Sequence, residues 1–305
     1  LSEGYRTSTI PIDAPRGKIL DRDNEVLVAN ELVYTASVVP GRTDDLEESL
    51  AEASNILDLS VEELEAKIED PHADAPVTLK RDISHAELIQ FEEKRAERPE
   101  LIIERTPMRE YVYGELASHV LGYVGEISPQ ELERREDYRV GDLIGKTALE
   151  KVYEEYLRGE KGKEVFEVNS LGQKVRTLST TDPTGGHDLI LNLDRDLQEK
   201  TESLLQEQIE NLVAKAEADD EIDQLPTGGA AIVADLEDNG ILAMASYPNY
   251  NPNQFITGIS RQEWQQLTKN YKHPLLNRAV NTSAPSGSIF KVVTAAAAME
   301  ELGVE

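Results

Sequence analysis

The sequence predicts an α+β fold in two domains, and three observations carry that prediction. Four S-x-x-E capping boxes, at Ser60/Glu63, Ser84/Glu87, Ser128/Glu131 and Ser260/Glu263, mark helix starts spread along the chain. Between them lie short runs of β-branched and apolar residues bounded by Pro, Gly, Asn and Asp, which read as strands. Finally, Asp182-Pro183-Thr184-Gly185-Gly186 breaks helix and strand alike and divides the chain into residues 1–184 and 185–305. At roughly 100–200 residues per domain, 305 residues supply two domains, each large enough for its own core.

The chain opens with β structure over residues 9–41. Two short strands are expected around the turn at Asp23-Asn24, and a further strand, Val33 to Val39, stops at Pro40-Gly41. Leu46, Leu50, Ala53, Ile56 and Leu57 share one helical face, and the capping box at Ser60 opens a second helix through Leu64 and Ile68. At Ser128, Pro129 occupies the first helical position, where its missing N–H costs nothing. From residue 101 to 180 short β-like runs surround one helix, Ala148 to Leu157, and Val165–Val168 reads as a strand. In the second domain Asp188–Leu193 is strand-like, and Leu197, Thr201, Leu204, Leu205, Ile209 and Leu212 stripe a long amphipathic helix. Gly229–Asp235 and Gly240–Ser246 flank Asp238-Asn239-Gly240 as a hairpin whose arms are apolar enough for the middle of a sheet, and Trp264 is expected in the core.

Composition excludes several classes of function. With 59 acidic and 31 basic residues the net charge is −28, a surface that repels nucleic acid and anionic lipid. The absence of cysteine rules out disulfides and thiol catalysis. His72, His85, His119, His187 and His273 are scattered without ligand spacing, so neither a metal nor a cofactor is expected. His119 reads as a packed or hydrogen-bonded residue, and Asp188, Asp194 and Asp196 as turn and cap residues rather than paired carboxylates. Gly141 and Gly145 enclose three residues where a phosphate loop needs four. No apolar run reaches the roughly 18 residues that span a bilayer.

The chemistry concentrates at Ser286-Gly287-Ser288-Ile289-Phe290-Lys291. A loop with Pro285 and Gly287 runs into the alanine-rich stretch Val292–Met299, which has strong helix propensity, so Ser288 is expected at a helix N-terminus. Positions i and i+3 share a helical face, which brings the Lys291 amine toward the Ser288 hydroxyl; free N–H groups there favour developing negative charge. Ser288 and Lys291 are therefore the candidate catalytic pair, nucleophile and base of an acyl transfer. An S-x-x-K tetrapeptide alone is common by chance, and its context decides.

That context is a longer string: Tyr247-Pro248-Asn249-Tyr250-Asn251-Pro252-Asn253-Gln254-Phe255, then Pro274-Leu275-Leu276-Asn277-Arg278-Ala279, then Pro285 to Lys291. In order and spacing it resembles the penicillin-binding transpeptidase domain. Upstream, Arg16-Gly17-Lys18-Ile19-Leu20-Asp21-Arg22 looks like the opening motif of class B penicillin-binding proteins. His119–Ile127, Gly141–Glu150, Tyr153 and Leu157-Arg158-Gly159 most resemble the elongation-type members rather than the division-type paralogue. Similarity runs from about residue 9 to 300. Three positions depart from the pattern: Ala148 stands where the family usually has glycine, Asn251 where it has aspartate, and Ser286 where a proline commonly precedes the glycine.

The resemblance implies an elongated, non-catalytic pedestal of short strands and helices over residues 1–184. Residues 185–305 would then begin a transpeptidase domain, an antiparallel sheet flanked by helices. The family's serine-x-asparagine and lysine-threonine-glycine motifs do not occur after Lys291; Lys146-Thr147-Ala148 precedes the serine, lacks the glycine and opens a helix. The domain is thus expected to be incomplete, with Ser288 correctly spaced but poorly supported. By resemblance the activity is serine D,D-transpeptidation of peptidoglycan stem peptides ending in D-Ala-D-Ala, with β-lactams acylating Ser288. Partners implied are a membrane glycosyltransferase and cell-shape scaffold proteins, met through the N-terminal domain. The location implied is the extracytoplasmic face of the cell membrane, with an anchor helix upstream of Leu1. Two other readings stay open: a non-catalytic pedestal that binds elongation-machinery partners, and a β-lactamase or β-lactam sensor, against which the long pedestal argues.

Overall fold

The computed structural model describes residues 6–43, 45–135, 137–168, 174–218, 225–282 and 287–302. In chain order the elements begin with β1 (Arg6–Ile12), β2 (Ile19–Leu20), β3 (Val26–Val38), α1 (Leu46–Leu57), α2 (Val61–Glu65), β4 (Val77–Lys80) and α3 (His85–Lys94). There follow β5 (Leu101–Tyr111), α4 (Ser118–Leu121), β6 (Val124–Glu126), α5 (Pro129–Leu132), β7 (Leu143–Gly145), α6 (Ala148–Val152), α7 (Glu154–Leu157), β8 (Gly162–Val168) and β9 (Lys174–Thr181). The second half holds β10 (Leu189–Ile190), α8 (Arg195–Glu217), β11 (Gly229–Ala234), β12 (Ile241–Tyr247), α9 (Arg261–Thr268), α10 (Arg278–Asn281) and α11 (Lys291–Leu302).

All four predicted capping boxes form. In each, the serine side chain accepts from the backbone N–H three residues on and the glutamate returns to the serine N–H. The local chemistry suffices because both partners lie within one turn. Longer-range features differ from expectation. The strands predicted near Val26 and at Val33–Val39 are one continuous β3, because β5 pairs with it antiparallel over eleven positions from Val28↔Tyr111 to Val38↔Leu101. Such a partner holds Asn30 and Glu31 in the ladder despite their weak strand propensity. The helix expected over Ala148–Leu157 is broken at Tyr153, whose φ of −103° and ψ of 23° leave the helical region. Trp264 is 40% exposed rather than core, touching Phe255 edge-on at 6.3 Å, because α9 lies on the surface with no buried residue of its own.

Among the described residues the two larger of three hydrophobic clusters organise the first half. Ala36, Val38, Leu50, Leu57, Leu64, Leu79, Phe91 and Leu101 pack α1, α2 and α3 against β3, β4 and β5. Ile19, Val28, Tyr111, Leu121, Val124 and Leu157 form the second, which also receives Ile256 from the C-terminal half. β1, β8 and β9 make a separate three-stranded antiparallel sheet.

The junction between the halves is a continuous ladder. β10 pairs in parallel with β2, Leu189 N–H donates to Lys18 O, Leu191 N–H to Leu20 O, and Arg22 N–H to Leu193 O. Asp21, 2% exposed, accepts from Asp23 N–H and Glu25 N–H and from Arg195 N–H at the start of α8. Asp194 caps the same helix, as its residue type predicts. α8 then lies along the β11–β12 hairpin, where the Gln198 amide donates to Met244 O and accepts from Met244 N–H, both within 3.0 Å. Its predicted apolar stripe is only partly covered: Leu204 and Leu212 are 44% and 47% exposed.

Candidate active site

Ser288 lies in a 3-10 turn, Gly287–Phe290, that continues directly into α11, and Lys291 is the first residue of that helix. Gly287 has φ +54°, a left-handed conformation that favours glycine, which lets the chain turn into the helix. Ser288 and Lys291 are exposed, as are Ile289 at 81%, Phe290 at 55%, Val292 at 74% and Val293 at 55%. Pro285 and Ser286 lie outside the described residues.

The segments that resemble the transpeptidase string are held by named contacts. Asn251 caps a 3-10 turn, Pro252–Phe255, by accepting from Asn253 N–H at 3.0 Å, as the aspartate usual in the family would. The Asn253 side chain accepts from Tyr111 N–H at 2.9 Å and donates to Tyr111 O at 3.0 Å, replacing a strand neighbour at the end of β5. Phe255 stacks on Tyr123 with centroids 3.9 Å apart. Arg278 N–H donates to Ser246 Oγ, and its guanidinium donates to the backbone oxygens of Lys272 and His273.

The opening motif does structural work. The Arg16 guanidinium donates to Glu150 at 2.7 Å and to both Glu154 oxygens at 3.0 Å. Arg109, whose side chain is fully buried, donates to Glu150 at 2.7 Å and to Gly17 O at 2.6 Å. Tyr138 OH and Gly145 N–H complete the shell of Glu154 at 2.7 Å each. Burial works to raise the Glu154 pKa, but Arg16, Tyr138 and the Gly145 amide outweigh it and hold the carboxyl below its ordinary value. Burial, then the hydrogen bond to Glu154, pushes Tyr138 up to about 12. A cavity of about 310 Å³ opens beside this network, lined by Arg16, Asn30, Arg109 and Tyr138 among others, and neither Ser288 nor Lys291 reaches it.

Arg16 and Glu150 belong to motifs visible in the sequence, but Arg109, Tyr138 and Glu154 carried no signal of their pairing. His119, expected to be packed or hydrogen-bonded, is both: it is 7% exposed, and its Nε2 lies 2.8 Å from Pro274 O. Among the described residues no cluster of His, Asp and Glu could hold a metal ion, and no helix is long and apolar enough to cross a membrane.

Comparison with known proteins agrees with this arrangement. Residues 11–191 match the family described as Penicillin-binding Protein dimerisation domain, and residues 229–303 match Penicillin binding protein transpeptidase domain. The peptidoglycan D,D-transpeptidase MrdA of Escherichia coli K12 is 30% identical over 307 residues, covering 98% of this chain and 46% of that protein. MrdA of Acinetobacter baumannii is 33% identical over 300 residues, 96% of this chain and 42% of its own length. Among solved structures, the complex between PBP2 and MreC from Helicobacter pylori aligns with a TM-score of 0.75 at 31% identity, covering 98% of this chain and 54% of that one. The chain thus spans about half the length of the curated relatives it matches. It belongs to the penicillin-binding proteins, with a dimerisation domain joined to part of a transpeptidase domain.

Proposed function

We propose that the protein carrying this chain is a peptidoglycan D,D-transpeptidase that works through an acyl-enzyme on Ser288. One observation carries the reading: Ser288 and Lys291 sit three residues apart where a 3-10 turn enters α11, inside the segment that matches the transpeptidase family. The Ser288 hydroxyl oxygen attacks the carbonyl carbon of the penultimate D-alanine of a stem peptide. The bond to the terminal D-alanine nitrogen breaks, and the proton lost by the hydroxyl is delivered to that leaving amine. An amine from a second stem then attacks the ester, forms the crosslinking amide and releases Ser288. Lys291 takes the hydroxyl proton as base, a role open only to its neutral form, which a desolvated setting favours. The Ser288 N–H supplies half of an oxyanion hole.

Lys291 is exposed among the described residues, so this chain on its own offers little desolvation and we expect it to acylate poorly. The reading extends to a role in cell elongation at the extracytoplasmic face of the membrane. The similarity to PBP2 in its complex with MreC supports a protein partner for this chain as well.

Labelling with a fluorescent penicillin tests it. In full-length protein one penicilloyl adduct per chain is expected by intact mass, located on Ser288 and absent from Ser288→Ala. Lys291→Ala is expected to slow acylation by about 10²–10⁴-fold. An adduct that persists in Ser288→Ala would remove the serine from its role.

A further inference from the structure

Two buried guanidinium groups beside the Arg16 network have donors to spare. Arg109 on β5, its side chain fully buried, donates from Nε to Glu150 and from Nη1 to Gly17 O, and its Nη2 has no acceptor among the described residues. Arg16, 9% exposed at its side chain, donates from Nη1 and Nη2 to the two glutamates, and its Nε is likewise buried without an acceptor. Both residues line the same cavity of about 310 Å³. A buried charged donor left unpaired is costly, so each of these nitrogens calls for an oxygen. The cavity lies at the small end of the range of ligand sites, roughly 300–1,000 Å³, and has room for a small molecule.

Charge decides what that oxygen belongs to. Glu150 and Glu154 already balance Arg16 and Arg109. The rest of the lining sets three cations, Arg81, Arg158 and Lys161, against four carboxylates, Asp13, Asp137, Asp142 and Glu160. Arg158 pairs with Asp137, Lys161 with Asp142 and Asp13, and Arg81 with Glu126 from outside the lining. Glu160 has no ion pair among the described residues. A phosphate dianion would therefore add charge to a lining that is already slightly negative, and a lone carboxylate would do so too. A molecule with a carboxylate at one end and an ammonium at the other meets both demands: acceptors for the two guanidinium groups, and a cation for the surplus carboxylate. Ala14, Pro107 and Leu143 offer wall for a small apolar side chain. We propose that this cavity binds a free zwitterionic amino acid, its carboxylate on Arg109 and Arg16 and its ammonium toward Glu160. The transpeptidation proposed above releases one such molecule, D-alanine; naming it as the ligand rests on that reading, and the chemical class of the site does not.

The test is titration calorimetry of full-length protein with D-alanine, and with acetate and ethylamine as the two halves of the zwitterion, with thermal unfolding of every variant in parallel. D-Alanine is expected to bind with a dissociation constant on the order of 1 mM, and each half about tenfold more weakly or not at all. Arg109→Lys keeps a charge for Glu150 but has no Nη2, and Ala14→Phe takes up cavity space without altering a hydrogen bond of the network. Both are expected to weaken D-alanine about tenfold. Glu160→Gln removes one charge, leaves the backbone pairing of this residue with Thr184 in place, and should weaken binding about threefold. Should Arg109→Lys fail to fold, Ala14→Phe and Glu160→Gln decide. If D-alanine gives no heat, water alone satisfies the two arginines and the proposal is wrong. It is equally overturned if acetate binds as tightly as D-alanine, or if D-alanine binds folded Ala14→Phe and Glu160→Gln as it binds the parent, which would put the amino acid elsewhere. The penicilloyl adduct on Ser288, read by intact mass on the same preparations, decides the nucleophile without reference to D-alanine, so the two readings fail separately.

Discussion

At the scale of single residues, Ala148 is the clearest departure from its family with a physical consequence. It occupies the first position of α6 at φ +47°, a left-handed conformation in which a Cβ costs roughly 1–2 kcal/mol. Ala148→Gly should therefore raise the stability of the folded protein by about 1 kcal/mol, less the entropy that glycine restores to the unfolded chain, as read by urea unfolding. Two residues away the sign reverses. Glu150 is fully buried between Arg16 and Arg109, and Glu150→Ala leaves the buried Arg109 guanidinium without its carboxylate and Arg16 with Glu154 alone. Losses of this type run to about 3–5 kcal/mol, so the same unfolding measurement should show a large decrease or a chain that does not fold. The sequence placed Arg16 and Glu150 in motifs but gave no sign that they meet, because 134 positions separate them.

At the scale of elements, capping was legible and pairing was not. The Ser128–Glu131 box illustrates both. Its internal bonds lie within one turn, yet Glu131 also takes Lys146 at 2.5 Å from beyond α5. Partial burial works to raise the Glu131 pKa, but the Lys146 ammonium and the Ser128 N–H and hydroxyl overcome it and depress the group to about 2. A carboxyl whose folded pKa is depressed stabilises the protein above its unfolded value, near 4.5, and that contribution is lost as pH falls through about 2. Urea melts between pH 5 and pH 2 should show a smaller loss of stability in Glu131→Gln than in the parent. If the two fall in parallel, the pair does not contribute. The long helix α8 makes the complementary point. Its start at Asp194 and its stripe were readable, whereas its attachment rests on the Gln198 amide bonded to both backbone groups of Met244, a pattern no periodicity reveals. Gln198→Leu leaves the half-buried Met244 N–H and C=O without their side-chain partner, and should cost about 1–3 kcal/mol in all by the same assay.

At the scale of the whole molecule the net charge of −28 is the dominant long-range term. Repulsion among exposed carboxylates is felt over about 30 Å at 0.01 M salt and only about 3 Å at 1 M. The folded, compact state should therefore gain stability with added salt, and the thermal midpoint should rise between those ionic strengths. A midpoint that falls would show that surface ion pairs, such as Arg195–Glu199, outweigh the repulsion. The sequence by itself determined the α+β class, the four capped helix starts, the Asp238–Gly240 hairpin and the placement of Ser288 at a helix start, since each depends on residues within a few positions of one another. Only the tertiary structure decided that Arg16, Arg109, Glu150 and Glu154 form one buried network, that Asp21 meets the start of α8, and that His119 holds Pro274. Those contacts join groups 41 to 174 positions apart, a distance at which pattern along the chain carries no information about which donor finds which acceptor.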